Sequence, residues 1–160
     1  DYLLEIEGIK GESTDAKHKD WIELDSFSWG VTNSSAAGSG GGAGKATFQD
    51  MHFTMKVDKA SPKLMLACAT GQRIPTLQFV VARPDAATGE TTDYYVVTLS
   101  DCLVSSYQSS SPPPPPAGAT TAEPLTASVR LNFTKIKWDY IAPDNEVISV
   151  ETDATPPPAN

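Results

Sequence analysis

The chain has 160 residues, an ordinary share of apolar residues and a formal net charge of −8 at pH 7, which suits one domain with its own core. An acidic surface repels phosphate backbones and anionic lipid heads, so binding to nucleic acid or to a membrane surface is not expected. No apolar run approaches the roughly 18–20 residues of a membrane span, and the sequence begins without a signal-peptide pattern.

Alternation of apolar and polar residues predicts β-strands along most of the chain. The first strand is predicted at residues 2–6. The second covers residues 21–32, where one face carries Phe27, Trp29 and Val31 and the opposite face carries Ser26, Ser28 and Gly30. A third strand is predicted at residues 47–57, with Met51, Phe53, Met55 and Val57 on the inner face and His52, Thr54 and Lys56 on the outer one.

One helix is predicted between Ser61 as N-cap, Pro62 at the first helical position and Gly71 as C-cap. At about nine residues it needs a packing partner, and Leu64 and Cys68, four residues apart, can face a sheet. Further strands are predicted at residues 77–83, 93–104, 127–140 and 146–151. In the long segment 127–140 the apolar residues change parity, which indicates a β-bulge or a crossing between two sheets.

Together these elements predict a mainly β fold, a small antiparallel two-sheet β-barrel with one flanking α-helix. The domain is expected to span residues 1–151, with a flexible tail at 152–160. Two connections interrupt it. Residues 33–45 are rich in glycine and read as a flexible extended loop, and residues 109–121 carry five consecutive prolines, expected as a stiff hairpin loop or, alternatively, as a docking site for a proline-reading domain.

Patterns that indicate catalysis are weak. His18 lies in a charged run and is expected to be solvated, and His52 is expected on the polar face of its strand. Neither has a partner at zinc-ligand spacing, so no metal and no cofactor are predicted. The glycine run ends in Lys45 followed by Ala46, whereas a phosphate-binding loop needs Ser or Thr there. Cys68 and Cys102 are predicted to be reduced, buried thiols, with a single disulfide as the alternative. We therefore do not expect an enzyme.

Six segments of the chain, taken in their order along the sequence, resemble the haemolysin-coregulated protein (Hcp) family of bacterial type VI secretion systems. The resemblance covers most of the chain, from about Tyr2 to Tyr140. The departures are the proline run and the proline-ended tail. The segments are residues 11–15 (GESTD), 26–31 (SFSWGV), 42–45 (GAGK), 49–71 (QDMHFTMKVDKASPKLMLACATG), 104–107 (VSSY) and 131–136 (LNFTKI).

The resemblance implies a structural subunit rather than an enzyme. Six copies would form a ring, rings would stack into a tube, and a contractile sheath with its spike would propel the tube into another cell. The lumen would hold small effectors, for which the subunit acts as an export chaperone. The protein would be cytoplasmic before assembly and then secreted through the system without a signal peptide.

Site residues follow from the same resemblance. The matching stretch faces the channel in the family, which implies lumen or effector contacts at Ser26, Ser28 and Gly30. The glycine-rich arm is expected to become ordered only against a neighbouring copy, because its ordering cost is high in a monomer. The ring or stacking interface is therefore expected at Asn33, Ser34, Gly38, Gly40, Gly41, Gly42, Gly44 and Lys45.

Three alternatives stay open at this point. One is a monomeric ligand- or effector-binding β-barrel module with a defined pocket. The second is the tail-tube protein of a related contractile injection machine, which would share the fold. The third is a hydrolase, which would require a histidine close to a nucleophile or a carboxylate. We do not expect the folded chain to provide such an arrangement.

Overall fold

The computed structural model describes residues 1–33, 46–84, 88–114, 116–118 and 124–154. Within these ranges the chain forms eleven strands and one helix. In chain order they are β1 (Tyr2–Ile6), β2 (Ile22–Leu24), β3 (Ser26–Ser28), β4 (Val31–Asn33), β5 (Ala46–Phe48), β6 (Met51–Lys56), α1 (Ser61–Thr70), β7 (Arg73–Pro84), β8 (Thr91–Ser110), β9 (Thr126–Asn132), β10 (Lys135–Ile141) and β11 (Val147–Asp153).

Nine of these strands form one antiparallel sheet. Seven of them follow the order β2-β1-β7-β8-β9-β6-β3, and β10 and β11 form a branch from β8. The 20-residue strand β8 organises it. On one side β8 pairs with β7, and on the other it pairs first with β10 and then with β9. Strand β11 pairs with β10 at the end of this branch. Asp101 has a φ of 50° and lies between the two halves of β8, so the strand changes direction where its partner changes.

The mainly β class with one flanking helix is confirmed, but the sheet is not a barrel closed by hydrogen bonds. Its two ends, β2 and β3, are consecutive in the chain and are joined through Asp25. The N–H of Asp25 donates to the carbonyl of Thr54 at 2.8 Å. In the part of the chain that is described, a covalent corner therefore brings the two edges together, in place of a closing strand pair.

The core lies on the inner side of the sheet, where alternating residues point. In β6, Met51, Phe53 and Met55 are fully buried, as the alternation predicts. Val57 is 38% exposed, because β6 ends at Lys56, so its expected place on the inner face is wrong. Each fully buried side chain of this size contributes roughly 1.5–3 kcal/mol, which makes β6 a central element of the core.

Helix α1 begins one residue earlier than its predicted cap implies. Ala60 occupies the N-cap without a side-chain hydrogen bond, so the prediction of Ser61 as N-cap is wrong. Ser61 Oγ instead accepts the N–H of Asp58 at 3.0 Å, and Asp58 Oδ1 accepts the N–H of Ala60 at 2.8 Å. The C-terminal prediction is confirmed, because Gly71 has a φ of 68° and its N–H donates to Ala67 O. Left-handed backbone of this kind favours glycine.

Several predicted boundaries differ from the structure. The segment 127–140 divides at Phe133 and Thr134 into β9 and β10, which belong to the same sheet and pair with different parts of β8. The change of parity therefore marks a break between two strands and not the expected crossing between two sheets. The segment 21–32 forms three short strands rather than one. The closing strand β11 extends to Asp153, and Ala154 is buried, so the ordered domain continues past residue 151; residues 155–160 lie outside the described part. Cys102 is buried and Cys68 is half-buried, both as free thiols.

Candidate assembly surfaces

One polar surface covers the outer side of four neighbouring strands, and we call it the wall face. It is formed by β3, β6, β9 and residues 104–110 of β8. Its side chains alternate with the buried residues of the same strands, because successive residues of a strand point to opposite faces. The strand register aligns two rows across it: Ser26, Thr54, Ser128 and Gln108 in one, and Ser28, His52, Arg130 and Ser106 in the other.

The predicted lumen residues divide between this face and its margin. Ser26 and Ser28 are exposed on the wall face. Gly30 follows β3 and is half-buried at the corner before β4, where its carbonyl accepts the N–H of Gln49 at 2.9 Å. Two of the three residues therefore lie on the wall face. Whether any of them contacts an effector remains a prediction.

Hydrogen bonds between neighbouring strands hold the wall face in place. Ser26 Oγ and Thr54 Oγ1 lie 2.5 Å apart, and His52 Nε2 lies 2.6 Å from Ser128 Oγ. The prediction that His52 lies on the polar face of its strand is confirmed. Cross-strand pairs of this kind typically contribute up to about 1 kcal/mol each, so they favour one arrangement of small side chains across the surface.

The wall face has two lateral edges without a strand partner among the described residues. β3 is the last strand in the sheet order. At the opposite edge, residues 104–110 of β8 pair with β9 only, because the pairing of β8 with β7 ends at Leu103. The two edges differ in sequence. A contact between the β3 edge of one molecule and the β8 edge of another would therefore be of the head-to-tail type.

The second predicted surface begins at a separate two-stranded hairpin. β4 and β5 pair from Val31 with Phe48 to Asn33 with Ala46, and Val31 is 49% exposed. Asn33 is described and is exposed at the end of this hairpin. The other predicted interface residues lie outside the described residues, so their role stays a prediction: Ser34, Gly38, Gly40, Gly41, Gly42, Gly44 and Lys45.

His18 is buried rather than solvated, which corrects the expectation from its charged neighbourhood. Its side chain is 2% exposed and packs edge-on against Trp21, with ring centroids 4.7 Å apart. Its Nδ1 contacts the carboxylate of Asp15, and its Nε2 lies 2.9 Å from Asp93 Oδ2 in β8. The loop between β1 and β2 is thereby attached to the start of β8.

Two carboxylates on one imidazole require both ring nitrogens to donate, which is the protonated form. Burial lowers the pKa of His18, but hydrogen bonds to Asp93 and Asp15 and their negative charges outweigh it and raise that pKa. A histidine in this state has no lone pair with which to act as a general base. This cluster therefore has the chemistry of a structural ion pair.

The expectation that no histidine would lie near a nucleophile or carboxylate is wrong, since His52 also contacts Ser128. Nucleophilic catalysis needs a third group that orients the histidine and a pocket for the substrate. Among the described residues, His52 Nδ1 has no such partner. Neither His52 nor Ser128 lines either of two clefts found in this part, and the pair lies on the outer, polar face of the sheet.

The larger cleft, of about 670 Å³, lies between the β1–β2 edge and the start of α1 and is open to solvent. Its lining is mainly acidic, with Asp1, Glu12, Glu23, Asp25 and Asp58 beside the side-chain cation of Lys56. No group of side chains in the described ranges is arranged to hold a metal ion. Likewise, no helix there is long and apolar enough to cross a membrane.

Comparison with known families gives one match that covers most of the chain. The family described as "Type VI secretion system effector, Hcp" matches residues 3–140. Among curated proteins, the chain is similar to protein hcp1 of Pseudomonas aeruginosa, with 36% identity over 145 residues, covering 88% of this chain and 82% of that protein. The resemblance inferred from the sequence motifs is thus confirmed.

Solved structures of secretion proteins have the same fold. Hcp1 from Salmonella typhimurium is 31% identical, with a TM-score of 0.75, covering 96% of this chain and 93% of that one. A type VI secretion system effector from Yersinia pestis is 29% identical, with a TM-score of 0.72, covering 96% and 99%. The likeness therefore extends over essentially the whole length of both relatives.

Proposed function

Because the chain belongs to the Hcp family of type VI secretion proteins, we propose that it is the structural subunit of the secretion tube and not an enzyme. Six copies form a ring, rings stack into a tube, and the wall face lines the lumen. The contractile sheath and the spike are its expected partners in the machine, and small secreted effectors are its cargo. The subunit is cytoplasmic before assembly and leaves the cell with the tube.

The observation that carries this proposal is the pair of different unpartnered edges on the wall face. Pairing the β3 edge of one copy with the β8 edge of the next would satisfy the backbone groups of both strands, as in other strand additions. The contact repeats in one rotational sense and therefore closes into a ring when the angle fits. It would extend the four-stranded wall continuously around the lumen.

The size of such a ring supports its use as a carrier. Four wall strands from each of six copies, spaced about 4.8 Å apart, give a circumference of roughly 115 Å and a backbone diameter of roughly 37 Å. Strand tilt increases this value, and side chains reduce the open width. A 100-residue domain has a radius of gyration of about 13 Å, which for a compact sphere corresponds to a diameter of roughly 34 Å, so such a channel admits folded cargo of about this size at most.

The role of the lumen residues is tested by Ser28→Gln. Ser28 is exposed at the β3 end of its row, so the longer side chain projects from the wall without disturbing the core. We expect rings to form normally and the carriage of lumen-held effectors to fall. Ser149→Gln on the exposed strand β11 is the matched control. Normal effector export by the Ser28 variant would mean that Ser28 is not a useful lumen contact.

The arm beyond Asn33 is tested by deleting residues 34–42. We expect the deletion to weaken ring assembly or stacking while the sheet remains folded, because the hairpin strands that flank the segment are kept. Circular dichroism reports the fold, and electron microscopy with sedimentation reports the rings. Unchanged assembly would remove the arm from the interface.

A further inference from the structure

The wall face differs in charge from the rest of the molecule. The chain carries 20 acidic and 12 basic residues, yet no Asp or Glu occurs in β3, β6, β9 or residues 104–110 of β8. The same strands carry Lys56 and Arg130. The surface proposed as the lumen wall is therefore neutral to cationic in a protein whose net charge is strongly negative.

Arg130 is the wall cation that lacks an anionic partner within the described part of the chain. It is exposed and lies in register between His52 and Ser106. Lys56 differs, because its Nζ donates to Asp25 Oδ1 at 3.0 Å. The carboxylate of Asp50, immediately before β6, is also engaged, since Asp50 Oδ2 accepts the hydroxyl of Ser105 at 2.7 Å. The guanidinium of Arg130 thus keeps its donors available.

We propose that the wall face selects cargo with an acidic, carboxylate-rich surface segment, and that Arg130 is the residue that binds it. A guanidinium donates two parallel hydrogen bonds to one carboxylate, which gives geometric preference as well as attraction. The serine and threonine hydroxyls of the two rows would form further hydrogen bonds with the cargo around that contact. The inference rests on the proposed function, because only a ring turns the wall face into a lumen that encloses cargo.

The spacing of the cations favours an acidic protein over a nucleic acid. In a ring, neighbouring copies of Arg130 would be separated by about four strands, or roughly 19 Å along the wall. Double-stranded DNA carries one charge per about 1.7 Å of its axis, far denser than this pattern. Carboxylates on a protein cargo match it better, and the acidic remainder of the subunit opposes a ligand with the charge density of a nucleic acid.

The test uses the purified full chain and three probes: a fluorescein-labelled decapeptide of glutamate, a matched glycine–serine decapeptide and a 20-nucleotide single-stranded DNA. Binding is measured by fluorescence anisotropy at low and high salt, on ring and monomer fractions separated by size. The variants are Arg130→Gln, Arg130→Lys and, as matched control, Arg83→Gln. Arg83, in β7, lies over the ring of Tyr94 in β8, outside the wall face, and its exchange removes the same charge.

We expect the glutamate peptide to bind the wild-type ring more tightly than the other two probes. Arg130→Gln should weaken this binding about fivefold, as loss of a screened exposed ion pair implies. Arg130→Lys should weaken it less, and Arg83→Gln should leave it unchanged. Equal binding by wild type and Arg130→Gln overturns the inference, as does preference for DNA or for the neutral peptide.

Failure of the proposed function would look different. If no ring fraction exists, the tube proposal fails, while Arg130-dependent binding to the monomer still reports the selectivity of the face itself. If rings form and the glutamate peptide binds them independently of Arg130, the tube proposal stands and the inference about the wall face falls.

Discussion

Replacing His18 by leucine should destabilise the fold substantially, because it leaves two carboxylates facing each other without a cation. His18 is 2% exposed, and the carboxylates of Asp15 and Asp93 are 30% and 33% exposed. Removing one partner of a buried pair costs about 3–5 kcal/mol. Partial solvent screening of the two carboxylates reduces this, so we expect a loss of about 2–3 kcal/mol in the free energy of unfolding near pH 6.

The size of this loss should depend on pH in one direction. Hydrogen bonds and negative charge raise the pKa of His18 above 6.5 in the folded protein, against the effect of burial. A group whose folded pKa is raised stabilises fully below its unfolded pKa and loses that contribution as the pH rises through the folded value. The difference between wild type and His18→Leu should therefore be largest near about pH 6 and should shrink as the pH rises through the folded pKa of His18.

The assay is urea unfolding followed by tryptophan fluorescence, at one protein concentration and at several pH values. His52→Leu serves as the control, because His52 is half-buried and contacts a single hydroxyl; a loss of about 1 kcal/mol is expected. A difference between wild type and His18→Leu that stays constant from about pH 6 to pH 9 would refute the reasoning, since the interaction would then not require a protonated ring.

Two further predictions concern packing and thiol chemistry. Gly11→Ala should lower stability by about 2 kcal/mol, because an added Cβ would lie 2.6 Å from both Ile22 Cα and the carbonyl oxygen of Trp21. Gly30→Ala, whose added Cβ would make only an ordinary contact, should change the melting temperature little. Equal melting temperatures for the two variants would contradict this account. Burial and the charge of Asp101 raise the pKa of Cys102 to about 12, so an alkylating reagent near neutral pH should label Cys68 first. Mass spectrometry of the labelled protein detects the order. Equal labelling of the two cysteines in the folded protein would contradict this prediction.

Local patterns in the sequence predict much of this fold. The alternation in β6 identifies Met51, Phe53 and Met55 as core residues because a strand repeats every two residues. The same rule places Ser26 and Ser28 on the outer face. The change of parity before Thr134 marks the passage from β9 to β10, because residues on either side must point inward in different parts of the sheet. These features depend on neighbours in the chain.

What the sequence could not predict depends on distant partners. His18 lies in a charged run and gives no local sign of burial; its second carboxylate, Asp93, is 75 residues away and is placed beside it only by the pairing of β1, β7 and β8. The corner at Asp25 is likewise determined by its hydrogen bond to Thr54. A preference for β-structure over residues 21–32 does not indicate where tertiary contacts divide that segment.

The wall face shows the same division. The polar character of each strand is evident from its own alternation, but the charge pattern becomes visible only once the sheet order is known. Arg130, His52 and Ser28 belong to three separate parts of the chain, and the register places them in one row. A sequence signal for the candidate cargo contact did exist, in the absence of acidic residues from these strands, but it could be interpreted only after the strands were assembled.

Native mass spectrometry of the purified chain tests the central claim most directly. The account predicts a dominant species with a mass near six times 17.0 kDa, at micromolar concentration and in a volatile buffer of moderate ionic strength, with a ring visible by electron microscopy. A species that stays at the mass of one chain under these conditions, even as concentration rises, would contradict a self-assembling ring.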